Sequence, residues 1–170
     1  MGFLDFFRKG EKKSAMHDMI VSTNPNACKK DQIPTGIGEF GLEKTNPIPV
    51  YGIDKVGFYM SKLRYKYTSK SGTVVYYPVQ FKRTNEFDNS PIGSPMSEAD
   101  SKQSSCSVEN IGNYIDSYNI YSFDGSRKLC MVFIHSYHLK TSDAVPSGFV
   151  NSKDISKNQD GQRIIDMLNK

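Results

Sequence analysis

The sequence predicts an α+β domain in which a mainly antiparallel sheet is built from two β-hairpins. Short N-terminal helices and a C-terminal helix complete the fold, and the C-terminal helix is expected to pack on the sheet. Two pairs of strand-forming runs, in residues 62–82 and 114–139, predict the hairpins. An apolar stripe at helical spacing after about Gln159 predicts the C-terminal helix. A length of 170 residues suits one domain with a core of its own.

The hairpin in residues 114–139 is predicted to be the centre of the fold. Its strands, 114–123 and 128–139, are joined by Asp124-Gly125, a dipeptide that favours a type I′ turn with positive φ at both positions. The second strand is apolar on both faces, with Leu129, Met131 and Phe133 on one and Cys130, Val132 and Ile134 on the other. Such a strand is typical of the interior of a sheet that is covered on both sides.

The second hairpin is predicted from strands at 62–68 and 73–82 with a turn at 69–72. In its first strand, Lys62, Arg64 and Lys66 alternate with Leu63, Tyr65 and Tyr67. This alternation predicts a strand with one basic face in solvent. Pro78 cannot donate a ladder hydrogen bond, so the second strand is expected at an edge of the sheet or at a bulge.

Composition divides the remaining chain. Residues 1–13 combine an aromatic cluster with a basic tail and form a separate segment, while residues 14–170 form the domain. The segment is interpreted either as a weak membrane-surface anchor or as a short packed helix or frayed terminus. Brief helices are predicted in residues 14–22 and 54–63. Residues 85–107 hold seven serines and predict a long flexible loop.

Residues 23–52 are rich in Pro and Gly. They also carry apolar side chains that are expected to reach the core, namely Ile33, Ile37, Phe40, Leu42, Ile48 and Val50. Gly36, Gly38 and Gly41 have the spacing GxGxxG, but a dinucleotide-binding fingerprint needs a preceding strand and a following helix. The prolines on both sides leave little room for them. The glycines are therefore expected to supply backbone angles that other residues do not tolerate.

The stretch GEFG at 38–41, followed by NPIPV at 46–50, resembles a segment of small uncharacterised bacterial proteins. In these proteins a Tyr-rich hairpin and a Pro-Gly-Phe/Tyr ending follow. The counterpart of that ending here is VPSGF at 145–149, so the resemblance covers residues 33–149. The resemblance implies a bacterial origin, and it carries over no activity and no site residues.

The sequence contains none of the catalytic motifs sought: it has no P-loop, HExxH, GxSxG or CxxC. His135 and His138 are predicted on opposite faces of one strand, so they are not expected to form a metal pair. Cys130 and His138 are too far apart along that strand to pair. Asp116 would serve as a general base only if it were buried. We expect no cofactor and no metal, and we favour a protein without catalysis.

Cysteine usage predicts a reducing compartment. The chain has Cys28, Cys106 and Cys130, and an odd count argues against a disulfide framework. The sequence shows no recognisable signal peptide and no apolar run of membrane-spanning length. We expect a cytoplasmic protein, peripheral to the inner membrane if residues 1–13 act as an anchor.

Charge is segregated along the chain far more than its net value of +4 suggests. Residues 55–83 contain seven basic residues and no acid, whereas residues 84–124 contain seven acids and one base. The candidate binding residues are Lys62, Arg64, Lys66, Lys82 and Arg83.

These basic residues and the many tyrosines favour a protein-interaction domain with an acidic protein partner. One alternative is nucleic-acid binding through the hairpin at 62–83, with tyrosines stacking on bases. Another is that the charges only keep a sheet face solvated. A third is a small-molecule enzyme or binding protein with a pocket between the sheet and residues 23–52. If the basic and acidic stretches faced each other, they would neutralise inside the fold.

Overall fold

A computed structural model describes residues 18, 21–22, 27–88 and 115–170, without the side chains of 85–88. In these parts the strands are β1 (Ile48–Pro49), β2 (Leu63–Thr68), β3 (Val74–Pro78), β4 (Gln80–Asp88), β5 (Ile115–Tyr121), β6 (Lys128–His135) and β7 (Phe149–Asn151). The α-helices are α1 (Val56–Ser61) and α2 (Gly161–Leu168), and 3-10 turns occupy Ile53–Lys55 and Ser152–Asp154.

The described strands form two sheets. One has four strands in the order β1-β6-β5-β4, and the other has three in the order β3-β2-β7. Every pair is antiparallel except β1 with β6, which is parallel. The predicted α+β fold is therefore confirmed, with the strands divided between two sheets.

The predicted interior position of β6 is confirmed, because β6 lies between β1 and β5. Val132 and Ile134 point into the main core, where they pack with residues of α1 and β2. Met131 and Phe133 point to the other face and pack near Ile33 in a second cluster. Both faces of the strand are covered, as its uninterrupted apolar sequence requires.

The predicted type I′ turn is wrong. The connection from β5 to β6 spans residues 122–127, and only Gly125 has a positive φ, of 72°. The Ser122 N–H donates to the Arg127 carbonyl and the Gly125 N–H donates to the Ser122 carbonyl, both at 2.8 Å. The Asp124 carboxylate accepts hydrogen bonds from the hydroxyls of Ser122 and Ser126. These side-chain bonds stabilise a longer loop in which Asp124 needs no positive φ.

The strand predicted at 73–82 is divided at Val79 between the two sheets. β3 ends at Pro78 and pairs with β2, whereas β4 begins at Gln80 and pairs with β5. β3 is an edge strand, which confirms the expectation drawn from Pro78. β4 continues to Asp88, so the prediction that a loop begins at 85 is wrong for its first four residues. Residues 89–107 of that predicted loop lie outside the described residues.

The described part of residues 23–52, which are rich in Pro and Gly, contains turns and the short strand β1 but no helix. Gly38 and Gly41 have φ values of 91° and 72°, which confirms the backbone role expected of them, whereas Gly36 does not have a positive φ. Of the apolar side chains expected in the core, Ile33, Ile48 and Val50 are buried, and Phe40 and Leu42 pack against it. Ile37 was wrongly placed there and is exposed.

The C-terminal helix α2 packs on β3, as predicted. Its first residue, Gly161, is buried against Tyr77, where a Cβ atom would lie 2.4 Å from the tyrosine ring. At the N-terminal end, Asp18, Val21 and Ser22 are helical. The predicted anchor in residues 1–13 lies outside the described residues. Among the residues that are described, no helix has the length and apolar character needed to cross a bilayer.

Candidate interaction surface

Three of the five predicted binding residues form ion pairs within the chain. The nitrogen–oxygen distances are 3.0 Å for Lys62 with Asp143, 3.1 Å for Arg64 with Asp160 and 2.5 Å for Arg83 with Asp116. Of these three acids, only Asp116 belongs to the acid-rich stretch. The neutralisation between the two stretches that the sequence suggested is therefore seen in one described pair, Arg83 with Asp116, and the other two pairs use acids nearer the C-terminus.

Arg64 does not lie on a solvated face, contrary to the predicted alternation. Arg64 is only 7% exposed. Besides Asp160, its guanidinium donates to the carbonyls of Ser61 and Leu63, at 2.7 and 3.1 Å. These acceptors make burial of the charge tolerable. Arg64 therefore stabilises the fold and presents little surface to a partner.

Lys66 and Lys82 are exposed, but they lie in different sheets. Lys66 is in β2, and Lys82 is in β4. Neither forms an ion pair with any residue that the structure describes. The five predicted residues consequently do not share one continuous basic strand face.

Four aromatic rings lie together where the second sheet meets the β5–β6 connection. Tyr77 is central: its ring centroid lies 6.2 Å from Tyr65, 5.7 Å from Tyr67 and 4.4 Å from Phe123, on which it stacks. We call Tyr65, Tyr67, Tyr77 and Phe123 the aromatic face. Tyr67 is 47% exposed and Phe123 is 38% exposed. The face therefore presents two large apolar side chains to solvent on a packed base.

Strand register explains how the tyrosines meet. Tyr65 is directly opposite Tyr77, and Tyr67 is opposite Val75. Residues opposite each other, and residues two apart on a strand, share a face. The alternation of Tyr65 and Tyr67 was visible in the sequence, whereas their contact with Phe123 depends on how the two sheets meet.

The hydroxyl of Tyr65 fixes the β5–β6 connection to the second sheet. It accepts a hydrogen bond from the Phe123 backbone N–H at 3.3 Å. Burial raises the pKa of Tyr65, so the phenol is neutral at physiological pH. A neutral hydroxyl that bonds to the loop backbone restrains Phe123 beside Tyr77.

Charged residues of both signs lie near the aromatic face. Arg127 and Asp124 act on the Tyr65 phenol electrostatically and in opposite directions. The neighbouring acid, Asp124, accepts hydrogen bonds from Ser122 and from the N–H and hydroxyl of Ser126, which lower its pKa to about 2. Asp124 is therefore ionised at neutral pH, and its charge opposes that of Arg127 beside the face. Lys66 alternates with Tyr65 and Tyr67 along β2, so it projects from the opposite face of the strand.

Two buried histidines, His135 and His138, lie at and just beyond the end of β6. The prediction that His135 and His138 lie on opposite faces is wrong: their ring centroids are 4.6 Å apart. The strand ends at His135, and Tyr137 then forms a bridge to Tyr51. The strand alternation that the prediction assumed therefore does not extend to His138.

Cys28, rather than Cys130, contacts His138. The Cys28 N–H donates to His138 Nδ1 at 3.3 Å, and the Cys28 Sγ lies 3.7 Å from the same nitrogen. Burial, and to a smaller extent His135, lowers the pKa of His138 to about 3. So low a pKa makes the imidazole a weak base for a thiol. The pair therefore offers little activation for nucleophilic chemistry.

No group of three or more potential metal ligands occurs among the described residues. Asp116 is buried, which raises its pKa, but its carboxylate is engaged by Arg83. The aromatic face is thus the described feature that best fits a contact with another molecule. Comparisons with protein-family models, curated proteins and solved structures found no match to this chain.

Proposed function

We propose that this chain is a protein-binding domain and that the aromatic face is its contact surface. The observation that carries the proposal is the pair of exposed rings, Tyr67 and Phe123, both packed on Tyr77. Aromatic side chains at the centre of an interface supply much of its binding energy. Rings that are already held in place lose little conformational entropy when they bind.

The proposed partner presents an acidic surface around an apolar patch. Arg127 is exposed beside Tyr65, and an exposed cation favours association with an oppositely charged surface. Of the residues named from the sequence, Lys66 is exposed on β2, but it projects from the face opposite to the rings, so the proposed surface does not include it. We place the interaction in a bacterial cytoplasm, where the free thiols of Cys28 and Cys130 would remain reduced.

A protein partner is favoured over nucleic acid. Binding to a phosphate backbone requires several free cations along one groove. Lys62, Arg64 and Arg83 are instead engaged by carboxylates within the chain. The tyrosines could stack on bases, so nucleic acid is retained as an outcome that the experiment distinguishes.

Affinity capture with matched variants tests the proposal. The test variant is Tyr67→Ser with Phe123→Ser. The control is Ile53→Ser with Phe58→Ser, which removes two exposed apolar side chains from the 3-10 turn and α1. We expect the wild type and the control to capture the same protein in nuclease-treated lysate, and the test variant to lose it. Equal capture by both variants would contradict the proposal, and capture that disappears with nuclease would assign the face to nucleic acid.

A further inference from the structure

The outer edge of β3 is occupied by the segment that leads into α2. The Tyr76 N–H donates to the Gln159 carbonyl at 2.8 Å, and Tyr76 forms a parallel bridge with Asp160. This is the geometry of a strand added to a sheet edge, in a very short form. Val74 directs its N–H to the same side as Tyr76, because alternate residues of a strand do so.

The contacts that hold this segment are concentrated at its start, at Asp160 and Gly161. Asp160 caps α2 through the Gln162 N–H and also pairs with Arg64. Gly161 lies against Tyr77, but the C-terminal end of α2 is exposed to solvent, and Leu168 is 80% exposed. A helix of eight residues with a half-buried apolar stripe is unstable by itself. Its opening free energy is therefore expected to lie well below that of the core.

We propose that residues 159–168 are a displaceable strap over a strand-addition site, and that an extended segment of the protein partner takes their place on β3. The proposal rests on the proposed function, because Tyr77 belongs both to the aromatic face and to the strand beneath the strap. Release of Gly161 from Tyr77 would expose more of that ring. A partner that binds Tyr67 and Phe123 would thereby gain a third ring and the β3 backbone.

Opening of the strap is measured on the full chain without a partner. Arg163 lies inside α2, so trypsin cleaves after it only when the helix opens. Asp160→Asn keeps a capping side chain but removes the ion pair with Arg64. Asp166→Asn is the control, because Asp166 is exposed on the same helix and, among the residues that the structure describes, accepts only from Gln162.

We expect Asp160→Asn to accelerate cleavage after Arg163 roughly 10-fold, since the bond that Arg64 donates would then reach a neutral amide in place of a carboxylate. Asp166→Asn is expected to cleave at the wild-type rate. Hydrogen exchange should show α2 opening while the amides of β5 and β6 stay protected. Exchange of α2 and β6 at the same rate in wild type and in both variants would show that the helix opens only with the whole domain, and would overturn the strap.

A second measurement separates failure of the strap from failure of the proposed function. The protein captured with the wild-type chain is purified and added in excess during hydrogen exchange. We expect it to increase exchange in residues 161–168 and to protect the Tyr76 amide. Unchanged exchange in both places, with affinity still dependent on Tyr67 and Phe123, would overturn the strap alone. Affinity independent of Tyr67 and Phe123 would overturn the proposed function itself.

Discussion

The Phe123 ring stacks on Tyr77, with a centroid distance of 4.4 Å and an interplanar angle of 19°. Phe123 belongs to the connection that follows β5, and Tyr77 belongs to β3. The pair therefore adds a side-chain contact between the two sheets near Val79, where the chain passes directly from β3 to β4. The same contact gives the exposed Phe123 ring a fixed position, and the proposed function depends on that.

A double-mutant cycle measures the stack directly. We expect Tyr77→Ala and Phe123→Ala to be coupled by about 1 kcal/mol in free energy of unfolding, because stacked rings gain that much beyond their buried area. The measurement is urea unfolding of the wild type, both single variants and the double variant. The control cycle pairs Tyr77 with Phe58, an exposed ring on α1, and should give additive effects. Additive effects in the Tyr77–Phe123 cycle would show that the stack adds no stability.

Alanine substitutions at Gly41 and Gly72 distinguish the stability cost of a strained backbone angle from the cost of steric crowding. Both have positive φ, at 72° and 83°. A Cβ atom on Gly41 would lie 2.8 Å from side-chain atoms of Ile48 and Pro146, whereas nothing lies within 4 Å of one on Gly72. We expect Gly72→Ala to cost about 1 kcal/mol from φ alone, and Gly41→Ala to cost roughly 2–4 kcal/mol. Equal losses in thermal or urea unfolding would show that the core tolerates a methyl group at Gly41.

His138 is expected to make stability depend on pH. Its pKa is about 3 in the fold, against an ordinary value of 6.5. Between these values the unfolded chain binds a proton that the folded chain does not, so stability rises with pH. The contribution is complete above about pH 6.5 and is lost as the pH falls towards 3, by at most about 1.4 kcal/mol per pH unit.

The variant His138→Asn tests this assignment. Asparagine keeps an oxygen acceptor for the Cys28 N–H but does not titrate. We expect the slope of unfolding free energy against pH, measured between pH 6.5 and 5, to become smaller in the variant. An unchanged slope would mean that other groups account for the dependence on pH.

The parts of the fold that local pattern determines could be predicted from the sequence. Apolar residues on both faces of β6 indicated its interior position, and Pro78 indicated an edge strand. The predictions failed where contacts with residues distant in the sequence determine the local structure. The run at 73–82 reads as one strand, but its two halves pair with different strands and separate at Val79.

The candidate site was predicted less well for the same reason. Alternation along β2 predicts that Arg64 lies on a solvent-exposed face. Nothing near Arg64 in the sequence indicates that its charge is neutralised by Asp160, which is distant in the chain. His138 was assigned to the strand of His135, although the chain leaves that strand first. Alternation predicts that Tyr65 and Tyr67 share one face, but their contact with Phe123 depends on how the two sheets meet.

The most direct test of the proposed function is the dissociation constant of the captured protein, measured by calorimetry with four purified chains. These are the wild type, Tyr67→Ser, Phe123→Ser and the Ile53→Ser/Phe58→Ser control. We predict that each aromatic-face variant weakens binding by a factor of about 30 or more, as expected for residues at the centre of an interface. The control should bind like the wild type. Wild-type affinity in both aromatic-face variants would contradict the account and place the contact surface elsewhere on the molecule.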